Sequence, residues 1–333
     1  MAPFADIEDI AKLIPSLPLE TRCPPFPLRQ YGGFWLPEWV LPGINAVHTR
    51  FDPRQSDVFL ASFPKSGTTW LKALAFATIH RVHHPPSSGE SHPLRRSSPH
   101  DCVKFFESAF AFSSGDVFAA FPSPRILATH IPYSLLPETI TANASGCRIV
   151  YICRDPKDTF VSMWLFTNKN RKVNGALTTE QSSLTIEEVF DLFCDGRCVV
   201  GPMWRHVIEY WEQSQRRPEK VLFLCYEKML CDPSRHVKKL ADFLGCPFSV
   251  EEEKGGVVDA IVDLCSFDKL KSLQANKNGV TDLAAKKESF FRKGVAGDWG
   301  NHISAEMAAR LDGIVEDALE GSGFTFDAVD DAE

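Results

Sequence analysis

Residues 57–70, Asp57-Val-Phe-Leu-Ala-Ser-Phe-Pro-Lys-Ser-Gly-Thr-Thr-Trp70, decide the fold of this chain. Residues 57–63 are a short continuous apolar run, the pattern of a buried strand. A helix is predicted over 69–81, so the chain must turn between the two. A glycine-bearing turn at that junction lets successive backbone N–H groups point into one concavity. The helix N-terminus adds its positive end, and Lys65 adds a full charge. This is phosphate-binding chemistry. It is not a Walker A loop, because GxxxxGK[ST] is absent and the lysine precedes the glycine. A plain strand–turn–helix connection is the alternative for this segment taken alone.

Working outward, strands are predicted at 125–129, 148–153 and 220–225. Helices are predicted at 156–166, 201–215, 234–244 and 305–319, and Thr185-Ile-Glu-Glu188 has the pattern of a capping box opening another. Short apolar strands alternating with helices indicate an α/β fold, a single domain with a central, mostly parallel sheet flanked by helices. Residues 83–99 read as a Pro/Ser/His-rich surface loop, and 169–183 as a polar, mobile segment. No linker or repeat divides the chain. Residues 56–325 form the expected domain, 1–55 a proline- and aromatic-rich flap packed on it, and 326–333 an acidic tail. Within the flap, Tyr31-Gly-Gly-Phe-Trp-Leu-Pro-Glu-Trp-Val-Leu-Pro42 is too broken for a helix.

Composition narrows the partners. With 44% hydrophobic and 24% charged residues the chain is too apolar to be disordered. Its 36 basic and 43 acidic residues leave a formal charge of −7, which argues against a nucleic-acid coat and requires any anion site to be local. The 25 phenylalanines, against 7 tryptophans and 5 tyrosines, suggest a large core with a subset lining an apolar pocket. The 10 cysteines are scattered without a CxxC pair and lie in apolar runs, and the N-terminus has no basic or apolar leader pattern. Reduced, mostly buried thiols in a cytoplasmic protein are expected, with Asn143-Ala-Ser145 unmodified. No apolar run approaches about 18 residues, so no membrane span is expected. His80, His83 and His84 lack a further ligand at suitable spacing and Cys194 and Cys198 read as packing, so no metal is expected.

Three more segments carry chemistry. Arg154 leaves the C-terminal end of a predicted strand, where ligands bind open α/β sheets, and Ser162 lies two turns along the next helix. Together they can grip a phosphate; an ordinary ion pair of Arg154 with Asp155 or Asp158 is the alternative. Arg292-Lys293-Gly294 is a flexible anion clamp or a solvated basic turn. Thr129-His130 ends a strand, where a histidine serves as a general base or is simply structural.

In this order the segments resemble the cytosolic sulfotransferase family, especially its plant members, over nearly the whole chain. The resemblance implies a P-loop-like sulfotransferase fold and transfer of a sulfonate from 3′-phosphoadenosine 5′-phosphosulfate to a hydroxyl of a small hydrophobic acceptor. That acceptor would be phenolic, flavonoid, steroid or hydroxy-acid in type. Lys65, Ser66, Gly67, Thr68 and Thr69 resemble the loop for the 5′-phosphosulfate. Arg154 and Ser162, with Arg292, Lys293 and Gly294, resemble the grip on the 3′-phosphate. Tyr226 and Phe267 match positions around the adenine, with Trp70 on its other face. His130 matches the catalytic base, and Lys65 would stabilise developing charge. Phe34, Trp35, Phe105 and Phe106, together with Phe110 and Phe112, are candidates for the acceptor pocket.

Three positions depart from the pattern. Gly300 follows Trp299 where the family usually has lysine. The dimerisation pattern of animal members would fall on Gly300, Ser304-Ala305 and Ala309 and is essentially absent, so a monomer or weak dimer is expected. Ala128 replaces a lysine of some animal members. A non-catalytic binder of the sulfonate donor or of sulfated molecules is the alternative, and a P-loop kinase is a third reading that lacks its motifs.

Overall fold

The computed structural model describes residues 10–113, 116–174 and 184–326. Leu19–Glu20 (β1), Leu28–Tyr31 (β2) and Phe34–Pro37 (β3) form a small antiparallel sheet in that order. Tyr31 pairs with Phe34, so Gly32 and Gly33 are the two-residue turn, and their φ of 58° and 83° suit a type I′ hairpin. Pro42 then sits in the first turn of a helix, Leu41–Arg50 (α1), where no backbone N–H is required. The segment that looked broken is therefore a hairpin and a helix start, each short enough to hide its period. Leu28, Phe34, Leu36 and Leu41 join the main core, so this region is packed on the sheet that follows.

That sheet has four parallel strands, Val58–Ser62 (β4), Ile126–Thr129 (β5), Arg148–Cys153 (β6) and Val221–Cys225 (β7), in the order β5-β4-β6-β7. All five β4 side chains are buried, because helices cover both faces. Phe59, Ala61, Leu127, Ile149 and Tyr151 point to one core, and Val58, Leu60, Ala128, Val150 and Ile152 to the other. The first core absorbs much of the phenylalanine excess: Phe51, Phe59, Phe106 and Phe110 meet edge to face at 4.6–6.0 Å. At the N-terminal end of the sheet Arg125, 2% exposed, forks onto fully buried Asp57, with Nε–Oδ1 2.8 Å and Nη2–Oδ2 2.5 Å.

The helices that position the site are Thr68–Ile79 (α2), Phe106–Ala111 (α3), Pro156–Asn174 (α4), Ile186–Cys194 (α5) and Met203–Arg216 (α6). The capping box is present: Thr185 N–H donates to Glu188 at 2.8 Å and Glu188 N–H to Thr185 Oγ1 at 3.3 Å. Helix α4 runs beyond the predicted 166, so 169–174 are helical rather than a mobile segment; 175–183 lie outside the described residues, as do 327–333 of the acidic tail. The 83–99 stretch is also less superficial than expected. His92, Leu94 and Ser98 are buried, and prolines open the short helices Pro93–Arg96 and Pro99–Cys102. None of the ten cysteines forms a disulfide, and only Cys231 is exposed. Among the described residues no helix is long and apolar enough to cross a membrane, and no cluster of three or more His, Cys, Asp or Glu is arranged to hold a metal ion.

Candidate active site

The C-terminal ends of the four parallel strands open on one cavity of about 690 Å³. Its lining brings together Lys65, Gly67, Thr68, Thr69 and Trp70 after β4, His130 after β5, Arg154 and Ser162 after β6, Tyr226 after β7, and Phe267, Arg292, Lys293 and Gly294 from the last third of the chain. Only Ser66 of the predicted loop is turned away: it is fully buried outside the lining, and its Oγ has no partner.

The loop is held in an unusual backbone path. Lys65 has φ 68° and Gly67 φ 106°, both left-handed. A Cβ on Gly67 would also lie 2.9 Å from Ile152 Cδ1 and from Tyr226 Cδ2, so glycine is required twice over. Past it, the N–H groups of Thr68, Thr69 and Trp70 open α2 and have no acceptor within their own helix. The Lys65 ammonium lies 3.7 Å over the Phe166 ring and 4.9 Å over Phe290. Burial, then the nearby charges of Arg154 and Arg292, lower its pKa to about 7.

Opposite the loop, Arg154 donates to Val295 O at 2.9 Å, lies 3.5 Å from Asp158 and stacks over Tyr226, while its buried Nε has no partner. Arg154 therefore makes the ion pair with Asp158 that was the alternative reading, and it also faces the cavity. Fully buried Asp158 also accepts Gly297 N–H at 2.7 Å and Trp299 N–H at 3.0 Å, tying the C-terminal loop to α4. Arg292 and Lys293 both bond Asp298. Burial alone would raise the Asp298 carboxyl, but these two cations hold it well below the usual carboxylate range. Gly294, with φ 69°, packs its bare Cα on Phe267, where a Cβ would lie 2.4 Å from Cδ2. Trp70 meets Tyr226 edge to face at 5.6 Å.

His130 lies where the two halves of the cavity meet. Its Nδ1 is 2.7 Å from Ser62 O, which fixes the hydrogen on Nδ1 and leaves Nε2 as the acceptor, without a protein partner among the described residues. Its backbone N–H donates to Glu107 Oε1 at 2.8 Å. Burial lowers its pKa to about 3, against the opposing effect of the Ser62 carbonyl, so the ring is held neutral.

The acceptor-side expectations need correction. Phe34 and Phe106 are 0% exposed, and with Phe110 they belong to the core; they do not line the cavity. Trp35 is outside the lining too, with its backbone paired to Gly201 and Val200. Phe105 and Phe112 do line it, joined by Phe26, Trp39, Met163 and Phe166. Trp39 and Phe112 stack at 5.6 Å. Phe166 and Asn170 follow Ser162 at i+4 and i+8 on α4, so helical spacing counted from Ser162 was the signal that pointed to them. Adjacent Phe105 and Phe106 give no such signal. His100, also in the lining, follows directly on the 83–99 stretch read as surface and was not singled out.

Comparison with known proteins agrees with this geometry. A profile of the sulfotransferase domain matches residues 55–323. The chain is 44% identical to cytosolic sulfotransferase 17 of Arabidopsis thaliana over 90% of its length and 85% of that relative. Among solved structures it is similar to a candidate steroid sulphotransferase of Arabidopsis thaliana, with a TM-score of 0.75, 35% identity and coverage of 98% and 99% of the two chains. A mouse sulfotransferase complexed with PAP matches with a TM-score of 0.66 and 28% identity, covering 89% of this chain and 96% of that one. On the domain match and these relatives the chain belongs to the sulfotransferase family and is a sulfotransferase.

Proposed function

We propose that the chain transfers a sulfonate from 3′-phosphoadenosine 5′-phosphosulfate to the hydroxyl of a small hydrophobic acceptor, with His130 as general base. The observation that carries this is the His130 tautomer: Nδ1–H bound to Ser62 O, leaving Nε2 as an acceptor without a protein partner among the described residues, in the same cavity as Lys65 and the first turn of α2. The donor carries two separate anionic ends. The residues fit it, because Lys65, Arg154, Arg292 and Lys293 all line the one cavity, and Arg154 Nε is buried with no bond. The PAP held by the mouse relative supports the same reading.

Nε2 of His130 takes the acceptor proton as the acceptor oxygen bonds to sulfur. The bond from sulfur to the bridging oxygen breaks, and adenosine 3′,5′-bisphosphate leaves. Lys65 and the N–H groups of Thr68 and Thr69 stabilise the charge that develops on the bridging and sulfonate oxygens. Ser162 and Gly294 help hold the 3′-phosphate, and Tyr226, Phe267 and Trp70 enclose the base. Most of the catalysis is positioning. No metal is needed for these steps. Phe26, Trp39, Phe105 and Phe112 enclose an apolar acceptor, and the steroid-type plant relative supports a fused-ring or phenolic one. We further infer a domain spanning 56–325 with 1–55 as a flap on the acceptor side, a cytoplasmic protein, and a monomer or weak dimer, because Gly300, Ala305 and Ala309 offer little to a partner.

The test is incubation with the labelled donor and a panel of phenols, steroids and hydroxylated acids, reading the added sulfonate by mass. His130→Ala is expected to retain donor binding and lose transfer. Turnover retained in that variant would remove the base assignment, and donor binding without transfer to any acceptor would favour the non-catalytic binder.

A further inference from the structure

Two buried side chains behind the loop have no part in the steps above. Lys72 lies one turn beyond Thr69 on α2 and is 0% exposed. Among the described residues it has no carboxylate within ion-pairing distance. Its Nζ lies 3.6 Å over the Phe105 ring and 3.2 Å from His100 Nδ1. His100, 7% exposed, turns its other nitrogen, Nε2, to within 2.9 Å of Thr69 Oγ1. The result is an unbranched hydrogen-bonded chain, Lys72 to His100 to Thr69, whose last member lines the cavity.

The direction of this chain depends on its buried end. An ammonium has donors only. A charged Lys72 therefore donates to His100 Nδ1, which places the ring hydrogen on Nε2. Nε2–H then donates to Thr69 Oγ1, and the threonine hydrogen is free to point into the cavity. A neutral amine permits the reverse: Nδ1–H donates to Lys72, Nε2 accepts from Thr69, and the threonine hydrogen turns away. Burying an ammonium without a carboxylate partner is unfavourable, so a plain packing site would be better filled by an apolar side chain. Burial, with Lys104 adding repulsion and Glu107, Asp282 and Asp101 attracting from a distance, brings Lys72 to about 7, where both directions are accessible.

We propose that Lys72 is a positioning residue that acts through His100 to turn the Thr69 hydroxyl into a hydrogen-bond donor for an anionic oxygen seated on the loop. The inference rests on the donor reading above. An anion in the cavity favours the charged lysine and the outward-pointing hydrogen together, so the loop gains a donor only when it is loaded.

The test is a double-mutant cycle with Lys72→Met, Thr69→Val and the pair, measuring donor affinity by calorimetry along with kcat and acceptor KM. Lys72→Met is expected to weaken donor binding and lower kcat about tenfold each, with acceptor KM and the melting temperature not impaired. On the Thr69→Val background it should do nothing further, since the hydroxyl it orients is gone. His100→Phe, which keeps a ring against Phe105 and Phe290, should behave as Lys72→Met does, and its own cycle with Thr69→Val decides the matter if Lys72→Met does not fold. Additive effects in the cycle, or wild-type donor affinity and kcat in Lys72→Met, would overturn the proposal. A wild-type protein that binds neither the donor nor adenosine 3′,5′-bisphosphate would overturn the donor reading and this proposal with it.

Discussion

Arg125, just before β5, and Lys65, just after β4, sit at opposite ends of the same sheet and are satisfied in opposite ways. Arg125 gives its guanidinium to Asp57 through two bonds and also donates to the carbonyls of Asp52 and Phe118. Among the described residues, Lys65 has only the faces of Phe166 and Phe290 against its ammonium. The first arrangement is closed and leaves nothing for a ligand. The second is incomplete by itself and becomes favourable when an anion arrives. The two ends differ in how the cation is compensated: Arg125 is closed by a carboxylate, whereas Lys65 and Lys72 rest against aromatic rings with no carboxylate within ion-pairing distance among the described residues.

The contrast can be broken from either side. The largest effect is expected at the closed end. Arg125→Met strands the Asp57 carboxylate and should destabilise the protein by about 3–5 kcal/mol, read by denaturant unfolding, with transfer per folded molecule unchanged. Loss of transfer at unaltered stability would reverse the assignment of the two ends. Lys65→Met should do the opposite, lowering kcat by about 10²–10³-fold without lowering the melting temperature. Burial and its cationic neighbours hold Lys65 near 7 when folded, against 10.5 for an ordinary lysine, so the unfolded chain binds more protons between those values. Its contribution makes stability rise with pH across that window, and the slope in Lys65→Met should be smaller than in wild type. A steeper slope in the variant would contradict the lowered pKa. The smallest effect is expected at Gly300. Nothing lies within 4 Å of a Cβ built there, and Asp158 and Asp298 already fix the loop. Gly300→Lys should change donor affinity by less than about threefold; a tenfold gain would show that these carboxylates leave the loop loose.

The loop, the strands and the cations were legible because each is short, local and chemically unambiguous: a continuous apolar run ends in Pro64-Lys-Ser-Gly67, and Arg154 follows another. The N-terminal hairpin was not, since four-residue strands flanked by prolines carry too few turns of any period. The polar end of α4 was not, because Lys169-Asn-Arg-Lys-Val-Asn174 is almost wholly polar in sequence and shows no apolar period. Phe105 and Phe106 differ by one position, yet one meets the cavity and the other is sealed in the core, a choice made by how α3 docks. The Lys72–His100 contact spans 28 residues and joins two short helical segments, so no local pattern announces it.

Asp158 has a consequence in time as well as in space. Its carboxylate gathers Arg154 from the middle of the sequence and the amides of Gly297 and Trp299 from near its end. During synthesis Lys65, His130 and Arg154 leave the ribosome long before those amides and the Arg292-Lys293 pair do. A nascent chain therefore carries Lys65, His130 and Arg154 well before the Asp158 carboxylate can tie the C-terminal loop to them, and the lining of the cavity is complete and tied in place only when residue 299 has emerged.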